Sequence, residues 1–74
     1  MSNTVSGKEA VKILCRRFGF DYISQKGSHV KLRKIVNNQT ITVIVPMHEE
    51  LAIGTWKSML EMAKVDEKDF WEYV

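Results

Sequence analysis

The sequence predicts an α+β fold, a two-layer sandwich with two helices over one face of a three-stranded antiparallel sheet. Three observations predict it. Residues 6–19 carry a helix pattern with its own start and stop signals, residues 29–45 alternate about a central Asn37-Asn38 turn, and residues 55–63 return to helical spacing. The expected order is helix, three strands, helix and a short C-terminal helix, all in one domain spanning residues 1–74.

Ser6 and Glu9 have the spacing of a capping box, in which each side chain satisfies an orphan amide at a helix start. Ala10, Val11, Leu14, Cys15 and Phe18 then fall on one side of a 3.6-residue wheel, with Lys8, Lys12 and Arg16 stacked on the other. Ile13 lies off that apolar stripe, and Gly19 provides the stop. FDYISQ alternates as a strand that ends at a Lys26-Gly27 turn. HVKLRKIV sends Val30 and Leu32 to one face and His29, Lys31 and Arg33 to the other. Asparagine tolerates positive φ, so Asn37-Asn38 suits a two-residue hairpin, and QTITVIV runs up to Pro46. A tight hairpin puts Leu32 opposite Val43 and Val30 opposite Val45, with Arg33 opposite Thr42 and Lys31 opposite Ile44 on the second face. Turn chemistry and hydrophobic pattern agree on this register. After the MHEELAI connection, Thr55 is placed to cap a helix carrying Trp56, Met59, Leu60 and Ala63. Asp66 is placed to cap a short last helix through Phe70, Trp71 and Val74, with Glu67 and Asp69 in its first turn.

Composition narrows the class. A chain of 74 residues buries only roughly 60% of the surface its unfolded form exposes, so the core is thin. The single cysteine, Cys15, allows no internal disulfide and no all-cysteine zinc site, and it fits a reducing cytosol. On the helix's apolar stripe it reads as buried and inert. No apolar run approaches the ~20 residues needed to span a bilayer, and the polar start MSNTVSGKE has no apolar signal stretch. A soluble, cytoplasmic protein is expected. The net charge of +2 is small, but residues 1–34 hold eight of the eleven Lys and Arg and only Glu9 and Asp21 as acids, whereas the other seven acids follow His48. One basic face is expected.

Within QKGSHVKL the imidazole of His29 is expected on the open face of the sheet, beside lysines and near the mouth of the first turn, where packing has no use for it. The same stretch carries a family resemblance. SGKEAVKIL, GF, QKGSH, a hairpin, VPMH and GTWKSML follow in the order and spacing of the HicA (YcfA-like) toxins, which the sequence resembles over nearly its whole length. The resemblance implies a double-stranded-RNA-binding-domain-like fold and an mRNA-cleaving endoribonuclease, the toxin of a type II toxin–antitoxin pair. It maps the catalytic histidine onto His29 and implies a HicB-like antitoxin that covers the active site. Trp56 stands where the family usually has Leu, and Val30-Lys31-Leu32 where an aromatic often follows the G-S-H triplet. Neither departure touches the chemistry.

Cleaving an RNA phosphodiester without a metal needs a base for the 2′-OH proton, an acid for the departing 5′-oxygen and positive charge near the phosphorane-like transition state. Histidine suits either proton role because its ordinary pKa, ~6.5, lies close to working pH. His29 is expected as the base. Lys26, Lys31 and Arg33 can hold phosphate oxygens, Gly27 allows close backbone approach, and Ser28 can donate a hydrogen bond. The row Lys8, Lys12 and Arg16 fits either a grip on an RNA backbone or a solvated helix face. His48 fits either a second acid/base or, as the Pro46-Met47-His48 turn favours, an anchor for its loop. Lys31 and Arg33 can equally be solvent-face residues that discourage strand association. Trp71 and Tyr73 fit core satellites or a partner-facing patch. No acidic pair has ligand spacing with His29, so neither a metal nor any other cofactor is expected, and RNA and the antitoxin are the expected partners. A non-catalytic RNA-binding module of the same fold is the alternative from a different class.

Overall fold

The capping box forms as its spacing dictates: the Glu9 N–H donates to Ser6 Oγ (3.0 Å) and the Ser6 N–H to Glu9 Oε1 (3.3 Å). It opens α1 (Gly7–Arg17) in a computed structural model that describes residues 4–74; the Met1–Asn3 end of the polar N-terminal stretch lies outside the described residues. Strands β1 (Asp21–Lys26), β2 (His29–Val36) and β3 (Gln39–Pro46) follow, then α2 (Ile53–Ala63) and α3 (Glu67–Trp71). The strands form one antiparallel sheet in the order β1-β2-β3. Helix α1 packs on β2 and β3 and α2 on β3, giving the expected α+β sandwich of double-stranded-RNA-binding-domain-like architecture. Its shortest extent, 20 Å, is the thickness of two layers.

The β2–β3 hairpin has the register read from the sequence, with Val30↔Val45, Lys31↔Ile44, Leu32↔Val43 and Arg33↔Thr42 paired. Asn37 and Asn38 both take positive φ (50° and 65°), the backbone of a type I′ turn whose twist matches the strands. Val30, Leu32, Val43 and Val45 are at most 1% exposed under the helices. Ala10, Leu14, Met59, Leu60 and Phe70 complete the core around them, each large side chain contributing roughly 1.5–3 kcal/mol by leaving water. No polar or charged residue is buried among the described residues.

Four expectations need correction. Ile13 belongs to the core (7% exposed), and the buried line of α1 is Gly7, Ala10, Ile13 and Leu14, while Val11, Cys15 and Phe18 are half-buried at its margin. At the helix start Gly7 packs so closely on the main chain of Pro46 and Met47 that no Cβ fits, a tertiary contact that helical periodicity does not register. Thr55 does not cap α2. The helix begins at Ile53 with Ala52 as N-cap and no side-chain cap bond, and the Trp56 N–H closes the first turn on the Ala52 carbonyl (3.0 Å). Tertiary anchoring sets that start: Leu51 is buried and its N–H donates to the Val5 carbonyl (2.8 Å). The last helix is capped by Asp66, which accepts from the Lys68 N–H (2.8 Å), but it ends at Trp71 and leaves Val74 outside. Lastly, all six residues of β1 are exposed, and its ladder slips by a bulge between Tyr22 and Ser24. Among the described residues, no helix is long and apolar enough to cross a membrane.

At the C-terminus the two aromatics part company. Trp71 is half-buried, edge-on to Trp56 (5.0 Å) and Phe70 (5.9 Å), whereas Tyr73 is exposed, edge-on to Phe18 (5.9 Å) with the Arg17 guanidinium over its ring (4.9 Å).

Candidate active site

The candidate site begins with the two-residue turn that joins β1 to β2. Lys26 and His29 are paired across it, and Gly27 takes φ +60°, a region that side-chain-bearing residues rarely adopt. Ser28 is not among the positive-φ residues, so positive φ falls on the first turn position alone, as in a type II′ hairpin. The turn touches no packed core. Hydrogen bonds hold it instead: Gln25 Nε2 donates to the Gly27 carbonyl (3.0 Å), and the Met47 N–H donates to the Ser28 carbonyl (2.6 Å).

Met47 is fixed from the far side. The Gly7 N–H at the start of α1 donates to the His48 carbonyl (2.9 Å), and a Cβ on Gly7 would overlap the Pro46 carbonyl oxygen. Thus α1, the loop after β3 and the Gly27-Ser28 turn form one connected main-chain unit, with His29 next in line.

On the face of the sheet away from the helices, Ser24 and Lys26 of β1, His29 and Lys31 of β2 and Ile44 of β3 line an open depression of about 420 Å³. His29 is exposed, and among the described residues no acidic side chain lines the depression. Lys26 is directly across the ladder from His29, and Lys31 lies two residues along the same strand face, ~6.6 Å on at 3.3 Å per residue. The nearest acid in β1, Asp21, pairs with Arg33 at the other end of the strand. Two ammonium groups therefore flank the imidazole without a local counter-charge.

The other sequence-derived residues lie apart from this depression. Gly27 and Ser28 form the turn at its mouth. Arg33 is half-buried further along the face, its Nε enclosed without a hydrogen-bond partner. Lys12 and Arg16 line a different hollow with Ile13, Arg17 and Tyr73, and Lys8 a third with Ser6, Met47, His48 and Glu49. Because α1 covers the opposite face of the sheet, the structure does not bring the row Lys8, Lys12 and Arg16 to His29. The His48 imidazole shares the hollow of Lys8, not that of His29, while main-chain bonds pin its loop. Among the described residues, no three His, Cys, Asp or Glu side chains are grouped to hold a metal ion.

Sequence reasoning missed Ser24, Ile44, Gln25 and Tyr22. Alternation counted back from Lys26 would have placed Ser24 beside it, and the predicted register already set Ile44 opposite Lys31. Nothing in the sequence pattern signals that Gln25 reaches the Gly27 carbonyl, or that the Tyr22 hydroxyl donates to Gln25 Oε1 (3.1 Å). Cys15 is half-buried rather than buried. Loss of solvent, and secondarily the charge of Asp21, raise its thiol pKa, which keeps it protonated and unreactive.

No curated protein shows significant similarity to the chain. The family model described as HicA toxin of bacterial toxin-antitoxin matches residues 7–65, from the first residue of α1 to just past the end of α2. Those residues contain the whole sheet, the QKGSH turn and the pinned loop, and leave out residues 1–6 and 66–74, the latter including the capped α3. With most of the chain matched and the sandwich formed as that resemblance implied, the chain belongs to the HicA toxin family of bacterial toxin–antitoxin systems.

Proposed function

We propose that this chain, acting as one domain over residues 1–74, is a metal-independent endoribonuclease that cuts mRNA in the cytoplasm and is neutralised by a HicB-like antitoxin seated on the same face. The single observation that carries the reading is an exposed imidazole between two uncompensated lysines, on a turn held by hydrogen bonds on both of its carbonyls. His29 takes the proton of the ribose 2′-OH as that oxygen attacks phosphorus. The P–O5′ bond breaks, the 5′-oxygen takes a proton from water, and a 2′,3′-cyclic phosphate remains. Lys26 and Lys31 neutralise the charge that builds on the non-bridging oxygens. A positioned base of this kind contributes roughly 10²–10⁴-fold. Among the described residues, no second imidazole and no carboxyl group lines the depression beside His29, so the 5′-oxygen is left to water for its proton and cleavage is slow, which a toxin tolerates.

A lone imidazole among cations also suits one other reading, an RNA-binding module that does not cut. Replacing His29 with Ala separates the two. The first reading expects cleavage to vanish while folding and RNA binding stay near parental. A variant that cuts as fast as the parent removes His29 from the chemistry. RNA binding by both proteins with cleavage by neither identifies the module.

A further inference from the structure

We propose that Gln25 is a positioning residue, which fixes the Gly27-Ser28 turn so that His29 is aimed into the depression, and that Tyr22 braces Gln25. The inference rests on the reading of His29 as the proton-transfer group. Gln25 belongs to the QKGSH stretch, yet the chemistry proposed for His29 makes no use of it. In the ladder it pairs with Val30, so it lies on the face opposite Lys26 and His29, and it does not line the depression. It is exposed, so packing does not hold it in place. Both ends of its amide are nevertheless committed. Nε2 donates to the Gly27 carbonyl (3.0 Å) and Oε1 accepts from the Tyr22 hydroxyl (3.1 Å). The orientation is unambiguous, because a carbonyl can only accept and the amide nitrogen must face it.

What this bond restrains matters more than its strength. Gly27 has the widest backbone freedom of any residue type, and at its position even an added Cβ would meet no atom within 4 Å. Left alone, such a turn samples several geometries. Gln25 holds the peptide plane between Gly27 and Ser28, and Met47 holds the next plane, between Ser28 and His29. Two successive peptides fixed at their carbonyls leave little freedom in the direction from which the His29 side chain departs. A misplacement of the order of 1 Å in a reacting group lowers rate by as much as ~10²-fold. Because neither Gln25 nor Tyr22 lines the depression, their loss acts on turnover and not on RNA affinity.

Three variants test this beside His29→Ala. Gln25→Glu keeps an acceptor for Tyr22 but has no hydrogen for the Gly27 carbonyl and repels it. Gln25→Ala deletes both bonds, and Tyr22→Phe removes only the brace. The expected result is a fall in kcat of about tenfold for both Gln25 variants and about threefold for Tyr22→Phe. KM and RNA affinity stay within about twofold of parental and thermal stability within a few degrees, because the residues are exposed. Parental kcat in Gln25→Glu overturns the inference. A loss shared equally by kcat, affinity and stability also overturns it, since that is what a merely structural residue gives. If His29→Ala cuts like the parent, the nuclease reading falls and takes this inference with it. If His29→Ala is inactive while Gln25→Glu is parental, only the positioning role falls.

Discussion

Replacing Gly7 with alanine sets two effects against each other, and the structure decides the sign. Alanine is the better helix former by about 1 kcal/mol in a helix interior, so propensity alone predicts stabilisation. At Gly7, however, the new Cβ would overlap the Pro46 carbonyl oxygen and stand 2.8 Å from Met47 Cα and 3.0 Å from the Pro46 carbonyl carbon. All three atoms are main chain, and none can rotate aside. Either α1 lifts or the loop moves, and each route stretches the bond from the Gly7 N–H to His48, worth about 1 kcal/mol. Overpacking of this kind costs typically 1–3 kcal/mol more. The balance is a net loss of about 2 kcal/mol, or a fall in Tm of roughly 8–16 °C for a domain of this size. The disturbance should travel. Met47 donates to Ser28, so the amide resonances of Ser28 and His29 should move in a Gly7→Ala spectrum while those of the Asn37-Asn38 turn stay put. Thermal unfolding followed by circular dichroism and an amide correlation spectrum measure both quantities. A Tm equal to or above parental, with Ser28 and His29 unmoved, would refute the coupling of α1 to the candidate site.

Other consequences can be measured separately. Short single-stranded RNA that engages only Lys26, Lys31 and Arg33 should bind with a log–log salt slope of about −2, and adding the row Lys8, Lys12 and Arg16 should steepen it to about −4. The structure keeps the row out of the depression that holds His29, so a six-nucleotide probe should show the shallower slope; the steeper one would contradict that separation. Phe70 is fully buried although α3 lies beyond the family-matched residues, so Phe70→Ala should lower urea stability by about 3–5 kcal/mol; a loss under about 1 kcal/mol would mean that α3 does not close the core. The Cys15 pKa is raised in the folded state, which therefore holds the thiol proton longer than the unfolded chain does. Its contribution to stability is full below the unfolded value and is lost as pH rises through the folded one. Alkylation of Cys15 at mildly alkaline pH should accordingly be slower in the folded protein than in urea, and equal rates would contradict the assignment.

The β2–β3 register was legible because two independent signals coincide there. The Asn37-Asn38 turn fixes the loop length, and Val30, Leu32, Val43 and Val45 permit only one slip of the strands. His29, Lys31 and Ile44 then fall on the open face by alternation. The first strand was read as a strand, but the irregularity in its pairing was not, for the opposite reason. Every residue of β1 is exposed, so no buried face constrains its pairing and the bulge at Tyr22–Ser24 leaves no mark on the hydrophobic pattern. Thr55 misled because side-chain capping is a local rule, whereas the start of α2 is set by Leu51 reaching across to Val5. The burial of Ile13 goes with the close approach of Gly7 to Pro46, 39 residues away in sequence and invisible to a helical wheel. The place of His29 on the open face was thus readable, and the hydrogen bonds on the turn before it were not, since they join residues through space and not by period.

The most direct measurement is single-turnover cleavage of RNA in excess chelator, comparing the parent with His29→Ala and identifying the new ends. The nuclease reading requires the parent to cut without free metal and to leave 2′,3′-cyclic phosphate and 5′-hydroxyl ends, with His29→Ala slower by at least about 10²-fold. Equal rates in the two proteins, or parental cleavage that stops when chelator is added, would contradict it.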